Sequence, residues 1–492
     1  MNPALAVLTA ILLSLVFPGA LQGNGWYPVA GIALAPLIVV AYRERTPLRR
    51  FLLGWLTGAL FWATVCFWIQ FVLEVHGGMG RYLSWVAFAL FALYKGLHFA
   101  VFTWLCGYLM RKPRAWTPIA IAALFTGIER THGTFGFAWL TLGNAAIDVS
   151  GLARIAPVLG VYGITFVFAL CASAIGVAYV SRSWWPGISL ATLFLMPFFP
   201  TIRTPAPPDR VAVLVQPNAP EEPPWTDTQW QAESARLFRL AREASAQTAD
   251  LIVLPEIPAP IYYFDDPAFA ATANAFARES AAHVVLGTVA RTAKGEPLNS
   301  SVLISPGGTA AGQYSKMNLV PFGEFVPSWF SWVNKITKEA GDYAPGTEAT
   351  VFTAGVHKLS TFICYESAFP DFVRSFANRG AELLINISND GYFGKSFARE
   401  QHLQLVRMRA VENNRWILRA VNDGITVSID PAGRINSRLP PYQQLAGRAG
   451  YSFIKSTTPY SRYGDWFAWS CLVGAVVALL LSRPFLKIPK AL

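Results

Sequence analysis

Charged residues are scarce in this chain, and their scarcity excludes an ordinary soluble protein. Only 14% of the 492 residues are charged and 53% are hydrophobic, whereas soluble domains carry about 25% charged residues. The first 42 residues contain no charged side chain at all. A cleaved signal peptide has a basic start and a shorter apolar run, so these residues predict retained membrane helices.

Cysteine is also scarce, and four of the five cysteines lie in apolar runs. Cys364 is the only cysteine in the polar part of the chain, so that part can form no internal disulfide. There is no CxxC motif or Cys/His cluster of the kind that binds zinc. These residues therefore predict no zinc site, and neither a metal nor a soluble cofactor is expected. Internal repeats and low-complexity tracts are missing too, which gives no support to a repeat architecture.

Long apolar runs fill the first 200 residues and return near the C-terminus. They lie at residues 3–21, 26–42, 51–73, 82–110, 116–127, 155–180, 184–200 and 466–481. A spanning helix needs about 20 apolar residues. The pattern predicts a membrane domain of about seven transmembrane helices over 1–204 and a C-terminal transmembrane helix over 464–482. Residues 483–492 then form a cytoplasmic tail.

The basic residues of the loops predict the orientation of these helices. One alternate set of loops carries 11 basic residues against one acid, Glu44; the basic residues are Arg43, Arg45, Arg49, Arg50, Arg111, Lys112, Arg114, Arg182, Arg483, Lys487 and Lys490. The positive-inside rule places that set in the cytoplasm. The polar domain is then expected on the outer side of the membrane. Because topology explains the net charge of +11, nucleic-acid binding loses its main support.

Residues 209–455 have the pattern of a water-soluble α/β domain, which follows a proline-rich linker at 205–208. Strand patterns lie at 211–215, 251–254, 283–288, 301–304, 358–363, 383–386 and 425–429. Helical patterns lie between several of them, at 228–245, 267–282 and 398–412. Alternating strands and helices predict layers of helix and sheet.

Three motifs in this domain place a polar residue at or just after an apolar strand. Glu256 ends Leu-Ile-Val-Leu-Pro-Glu, Lys316 lies in Tyr-Ser-Lys-Met-Asn, and Cys364 lies in Phe-Ile-Cys-Tyr-Glu. Strand ends of α/β sheets commonly display catalytic groups. A carboxylate base and a lysine can generate a thiolate and stabilise the oxyanion that it forms. A lone cysteine is more often an inert core residue, so the prediction depends on all three motifs.

The motifs resemble the carbon–nitrogen hydrolase (nitrilase) superfamily over about residues 211–435. Segments 386–394, 408–412 and 422–426 also look like that superfamily. With the flanking apolar helices, the whole chain resembles the bacterial apolipoprotein N-acyltransferase family. The resemblance implies a multi-pass α-helical membrane domain plus an α/β extramembrane domain, a nitrilase-like αββα sandwich with a Glu–Lys–Cys triad.

The resemblance also implies a role for each matched residue. Cys364 would be the nucleophile and Glu256 the general base. Lys316 would stabilise the oxyanion, together with the backbone N–H of Tyr365. Glu324 would orient the site, as a second glutamate does in the superfamily. The positions with a supporting role are Glu324, Tyr365, Glu366 and Trp225.

The implied reaction is a two-step acyl transfer catalysed by a monomer. An acyl chain passes from a membrane phospholipid, expected to be phosphatidylethanolamine, to a thioester on Cys364. The N-terminal amine of an S-diacylglyceryl-cysteine apolipoprotein then accepts it. Two alternatives stay open: a membrane-tethered amidase or nitrilase that uses water as the acceptor, and a non-enzymatic transporter or scaffold.

Other polar and aromatic residues allow less definite interpretations. His402 is interpreted as a structural hydrogen-bonding residue. Lys95 and His98 fall in a membrane run, where ionisable residues are candidates for function, but a lysine can also extend to the interface, so their role stays open. Trp329 and Phe330 are expected to form an apolar lip that contacts lipid.

Overall fold

The computed structural model describes residues 2–19, 25–134, 137–201, 205–221, 225–245, 249–256, 261–321, 323–325 and 343–482. The chain divides into two compact units, one comprising Met1–Gln70, Trp85–Thr201 and Tyr463–Leu492, the other Phe71–Ser84 and Ile202–Arg462. The segment Phe71–Ser84 groups with the second unit although it lies between two membrane runs in the sequence. In that unit the His76 and Tyr392 rings lie 4.5 Å apart.

Apolar helices make up the first 200 residues. The α-helices are α1 (Asn2–Val16), α2 (Ala30–Ala33), α3 (Ala35–Arg43), α4 (Pro47–Val65), α5 (Trp68–Val75), α6 (Gly80–Leu109), α7 (Thr117–Thr134), α8 (Ser150–Ala153), α9 (Ala156–Leu159) and α10 (Val161–Ser181). Short 3₁₀ helices cover Tyr27–Val29 and Leu142–Ala146. Trp185–Phe198 is also a 3₁₀ helix, where an α-helical span was expected. Two poor helix formers, Gly187 and Pro197, lie in that segment.

Two of the described helices, α6 and α10, are long and apolar enough to cross a membrane. A third span results if α4 and α5, which meet at a 64° bend, count as one. Most of the other apolar runs form shorter helices of 10–17 residues. The arrangement of about seven helices followed by one more therefore remains a prediction.

Lys95 of α6 lies inside the helical unit rather than at its surface. Its side chain is fully buried, and Nζ donates a hydrogen bond to the Phe137 carbonyl at 2.9 Å. The ammonium also lies 4.9 Å from the centre of the Trp62 ring, a cation–π contact. These contacts place the lysine among aromatic side chains.

Two six-stranded sheets form the centre of the second unit. The strands are β1 (Arg210–Gln216), β2 (Leu251–Val253), β3 (His283–Arg291), β4 (Pro297–Ile304), β5 (Ala310–Ser315), β6 (Phe352–Ala354), β7 (His357–Ile363), β8 (Leu383–Ser388), β9 (Ile417–Val421), β10 (Val427–Ile429), β11 (Ile435–Arg438) and β12 (Leu445–Tyr451). One sheet has the order β12-β1-β2-β3-β4-β5 and the other β11-β10-β9-β8-β7-β6. In both sheets the central pairs β1–β2–β3 and β7–β8–β9 are parallel.

Helices cover the outer faces of the two sheets. They are α11 (Asp227–Ala244), α12 (Pro267–Ser280), α13 (Pro370–Asn378) and α14 (Ala398–Asn413). After the last strand come the short α15 (Pro459–Tyr463) and the apolar α16 (Trp466–Ser482), and α16 belongs to the first unit. Phe238 of α11 and Phe276 of α12 pack with Val213 of β1 and Ile252 of β2 in one buried cluster. The sheets face each other through β1 and β9 and through β5 and β6. This confirms the expected αββα sandwich.

Candidate active site

The three predicted catalytic residues lie at the ends of strands from both sheets. Glu256 follows β2 and Lys316 directly follows β5 in one sheet, while Cys364 directly follows β7 in the other. Cys364 interacts electrostatically with both Glu256 and Lys316. The fold therefore brings the three separate motifs into one site between the sheets.

The lysine forms ion pairs with two glutamates and a hydrogen bond with one of them. Lys316 Nζ donates to Glu324 Oε1 at 2.8 Å and lies 3.9 Å from Glu256 Oε1. The Asn299 side-chain amide donates to Oε1 of both glutamates, at 2.7 Å in each case. Glu324 Oε2 accepts the Val320 backbone N–H at 2.7 Å. Because Lys316 is only 1% exposed, carboxylates rather than water compensate its charge.

Backbone contacts fix the position of Glu256. Its Oε2 accepts the Asn389 backbone N–H at 3.0 Å. Gly287 of β3 lies so close that an added Cβ would be 2.8 Å from the Pro255 carbonyl oxygen and 3.2 Å from Glu256 Cα. A side chain at position 287 would therefore push the Glu256 backbone out of the site.

Cys364 has an unusual backbone conformation for a residue that carries a side chain. Its φ angle is +49°, in the left-handed region that costs an L-amino acid about 1–2 kcal/mol. The residue begins a 3₁₀ turn, Cys364–Ala368, immediately after β7. A sharp turn of this kind displays the side chain at the end of the strand, and such strain is often found at functional sites.

Glu366 joins the cysteine turn to the lysine strand. Its Oε2 accepts the Ile363 backbone N–H at 2.8 Å. Its Oε1 accepts the Tyr314 hydroxyl at 2.6 Å and the backbone N–H groups of Met317 and Asn318 at 2.8 and 3.1 Å. Burial raises the pKa of Glu366 to about 7, while these hydrogen bonds oppose the rise. One fully buried carboxyl group thus holds the two catalytic loops together.

Electrostatics define the protonation states of the site. Burial alone would lower the pKa of Lys316, but Glu324 and Glu256 raise it above its ordinary value. Burial raises the pKa of the Cys364 thiol to about 12; Glu256 adds to this rise and Lys316 opposes it. Burial also raises the pKa of Glu256, and Lys316 opposes that shift. At neutral pH the lysine is charged and the cysteine is a thiol, so attack by sulfur requires a base.

The other predicted residues differ in their contacts with the site. The buried Tyr365 ring packs against Phe369 at 5.1 Å. Trp225 is half-buried just before α11, and no hydrogen bond among the described residues ties it to the triad. Trp329 and Phe330 lie outside the described residues, so the apolar lip remains a prediction. His402 Nε2 lies 3.0 Å from the Cys364 carbonyl oxygen.

Several residues of the site were not assigned roles from the sequence. Asn299 bridges the two glutamates, and Asn389 holds Glu256. Asp390 and Arg419 form a buried ion pair at 2.7 Å. Asparagine and arginine are unusual in buried strand regions, and this was the available signal for Asn299 in β4 and Arg419 in β9.

Family models match both parts of the chain. Residues 211–445 match the carbon-nitrogen hydrolase family, and residues 9–174 match the apolipoprotein N-acyltransferase N-terminal domain. Together with the two mixed sheets and the apolar helices, these matches confirm the predicted fold class. The chain is a membrane protein with an α/β domain of the nitrilase type.

Curated relatives extend over nearly the whole chain. An apolipoprotein N-acyltransferase of Geobacter metallireducens is 34% identical and covers 97% of this chain and 94% of its own length. The Pseudomonas syringae enzyme of that name is 30% identical, with 94% coverage of both chains. A solved amidase of the nitrilase superfamily from Nesterenkonia is 20% identical, covers 54% of this chain and 98% of its own, and has a TM-score of 0.40. The chain belongs to the apolipoprotein N-acyltransferase family.

Proposed function

We propose that this protein transfers an acyl chain from a membrane phospholipid to the N-terminal amine of apolipoproteins through a thioester on Cys364. The match of residues 9–174 to the N-terminal domain of this family favours acyl transfer over the amidase, nitrilase, transporter and scaffold alternatives. The observation that carries the mechanism is the meeting of Glu256, Lys316 and a strained Cys364 in one buried site.

The first half-reaction forms the acyl-enzyme. Glu256 removes the Cys364 proton while Sγ attacks the ester carbonyl carbon of the phospholipid. The ammonium of Lys316 stabilises the oxyanion of the tetrahedral intermediate. When the intermediate collapses, the C–O bond breaks and Glu256 returns the proton to the leaving alcohol. The products are a lysophospholipid and a thioester.

The second half-reaction uses the same three residues, with the thioester as the electrophile. The neutral amine of the diacylglyceryl cysteine attacks the thioester carbonyl, and Lys316 again stabilises the oxyanion. Glu256 removes a proton from the attacking nitrogen. The C–S bond breaks, Cys364 is released and reprotonated, and an amide forms. Because the lysophospholipid leaves before the acceptor amine attacks the covalent thioester, the enzyme follows a ping-pong sequence.

Both substrates carry lipid chains, which explains why the catalytic domain is combined with membrane helices. We propose phosphatidylethanolamine as the donor, in line with the expectation from the sequence. We also propose that the enzyme acts as a monomer in the inner membrane with the catalytic domain on the periplasmic side. The basic residues of the alternate loops support that orientation.

A reconstituted assay tests transfer against hydrolysis. The purified enzyme is mixed in detergent with phosphatidylethanolamine and a synthetic peptide that starts with S-diacylglyceryl cysteine. The proposal predicts an N-acyl peptide and lysophospholipid in equal amounts. A matched peptide with an acetylated N-terminus should accept nothing. Release of free fatty acid at the same rate with and without the acceptor would instead identify a hydrolase.

A further inference from the structure

A buried polar network lies next to Cys364. Its members are Asp390, which follows β8, His402 of α14 and Arg419 of β9, and all three are fully buried. Arg419 donates to Asp390 Oδ2 at 2.7 Å and to Oδ1 at 2.9 Å. Gly424 lies against this carboxylate, and an added Cβ there would collide with it.

The network contacts Cys364 through His402, whose Nε2 lies 3.0 Å from the Cys364 carbonyl oxygen. Ser388, which lowers the pKa of the Cys364 thiol, donates a hydrogen bond from its hydroxyl to Asp390 Oδ1 at 2.9 Å. Asp390 therefore contacts both Ser388 and the imidazole.

The proton on His402 Nε2 follows from its partners. A carbonyl oxygen can only accept, so Nε2 must donate to Cys364. Nδ1 lies 3.2 Å from an Arg419 nitrogen, a donor, and 3.0 Å from Asp390 Oδ1, an acceptor. Burial and Arg419 lower the pKa of His402, which favours the neutral ring with Nδ1 as an acceptor. Whether or not Nδ1 is protonated, Nε2 carries a proton.

This arrangement matches what a left-handed cysteine needs. The cost of its φ angle, about 1–2 kcal/mol, must be offset by contacts that fix the turn. A hydrogen bond to the Cys364 carbonyl oxygen fixes the peptide plane between Cys364 and Tyr365, directly after the left-handed residue. A buried ion pair is often no more stabilising than apolar packing of the same volume, so general stability is a weak reason to place three polar side chains here.

We propose that His402 is a positioning residue that holds Cys364 in its left-handed conformation, with Asp390 and Arg419 fixing the imidazole and Ser388 fixing the carboxylate of Asp390. The inference rests on the proposed role of Cys364 as the nucleophile. It assigns to His402 an effect on the reactivity of sulfur, whereas the sequence suggested only a structural hydrogen bond.

Two substitutions of His402 test its Nε2 contact and its Nδ1 contact separately. The amide nitrogen of His402→Gln can reach the place of Nε2, whereas that of His402→Asn can reach only the place of Nδ1. For His402→Asn we expect acyl-enzyme formation to slow by about 100-fold, the scale expected when a reacting atom is displaced, with an unchanged KM for phospholipid. For His402→Gln we expect a rate within about tenfold of the unsubstituted enzyme, because one hydrogen bond is retained.

The reactivity of the thiol is measured separately with iodoacetamide, a small soluble reagent that needs no lipid site. Alkylation of Cys364 in the full-length protein in detergent should be slowed in His402→Asn and largely retained in His402→Gln. His357→Gln is the matched control, since His357 also pairs with a carboxylate, Glu382, at 2.7 Å. It begins β7 at the end opposite Cys364, so its loss should lower the melting temperature without slowing alkylation.

Alkylation and acylation at the unsubstituted rate in His402→Asn would overturn the inference. So would equal slowing in all three variants in proportion to their loss of melting temperature, because that pattern indicates general stability. If His402→Asn does not fold, Ser388→Ala tests the same network through Asp390: it removes the hydroxyl that donates to Asp390 Oδ1 and should slow alkylation at neutral pH, and an unchanged rate would count against the network. Acyl transfer by Cys364→Ala would refute the proposed function itself and is scored independently.

Discussion

Cys364 combines a strained backbone with a thiol that is protonated at neutral pH, and this combination determines what its neighbours must do. Its pKa is raised to about 12 by burial and by Glu256, so the proposed mechanism starts from the thiol and not from a preformed thiolate. The buried ammonium of Lys316 opposes the rise and can stabilise both the thiolate and the oxyanion. In the proposed mechanism the base and the cation are therefore needed in the same step.

Substitution of either partner should stop the first half-reaction. Lys316→Met removes an oxyanion donor, which costs on the order of 100- to 1,000-fold in comparable sites. Glu256→Gln removes the base, worth about 100- to 10,000-fold. Single-turnover acylation with phospholipid measures both effects. Lys294→Met and Glu279→Gln, which replace exposed residues of the same domain, should acylate normally; a normal rate in Lys316→Met or Glu256→Gln would remove that residue from the first step.

The pH dependence of acylation should report the shifted pKa of Glu256. Only the ionised carboxylate can accept the thiol proton, and burial raises its pKa above the ordinary value of 4.5. Activity should therefore be present above the raised pKa and be lost as the pH falls through it, at a pH above 4.5. Lys316 stays protonated across this range because its pKa is raised. An acid limb at or below the ordinary carboxylate value would contradict the assignment of Glu256 as the base.

At the residue scale, the sequence points to reactive side chains more readily than to the residues that hold those side chains in position. Glu256, Lys316, Cys364 and Glu366 could be proposed because each lies in a short motif beside an apolar strand and the motifs together resemble the nitrilase superfamily. Asn299 contacts Glu256 and Glu324 at separations of 43 and 25 residues in the chain, and Asp390 pairs with Arg419 29 residues away. An asparagine in a strand can mark such a position, but which groups it contacts depends on how the strands pair.

At the element scale, Glu366 is the clearest structural connection between the catalytic loops. It accepts four hydrogen bonds from groups on both sides of the site. In Glu366→Leu these buried donors lose their partner, at about 1–3 kcal/mol each. Thermal unfolding should then show a large loss of stability together with lost acylation.

Tyr314→Phe is a milder substitution that removes only one of these four hydrogen bonds. It removes the phenolic donor and keeps the ring, which packs against Phe376 at 5.5 Å. We expect it to cost about 1 kcal/mol and to leave measurable acylation. If Glu366→Leu were as stable and active as Tyr314→Phe, the loops would not depend on this carboxyl group.

The elements themselves were predicted unevenly. Strong apolar runs gave β1, β7 and β8 nearly at their observed bounds, and α11 begins where Thr226 and Gln229 form a capping box. β9 was missed because the buried Arg419 interrupts its apolar pattern. β12 was missed because its sequence, Leu-Ala-Gly-Arg-Ala-Gly-Tyr, lacks the branched side chains typical of strands; its pairing with β1 supplies the missing stabilisation.

At the scale of the whole molecule, apolar helices that face lipid are joined to a domain that faces water. The charges of the loops predict the orientation of the chain in the membrane. The prediction can be tested with single cysteines introduced at exposed positions, Lys112→Cys in a loop and Lys294→Cys in the catalytic domain. In cells with a permeabilised outer membrane, an impermeant maleimide should label only Lys294→Cys. Both should react after the inner membrane is lysed. Labelling of Lys112→Cys alone in unlysed cells would reverse the orientation and the proposed access of substrates.

The central claim is that acyl transfer passes through a thioester on Cys364, and intact mass spectrometry tests it most directly. The purified enzyme, incubated with phospholipid and no acceptor, should gain the mass of one acyl chain, located by peptide mapping at Cys364. Addition of a diacylglyceryl peptide should remove that mass from the enzyme and transfer it to the peptide amine. Cys364→Ala should gain nothing. An acyl chain on another residue, or N-acylation of the peptide by Cys364→Ala, would contradict the account.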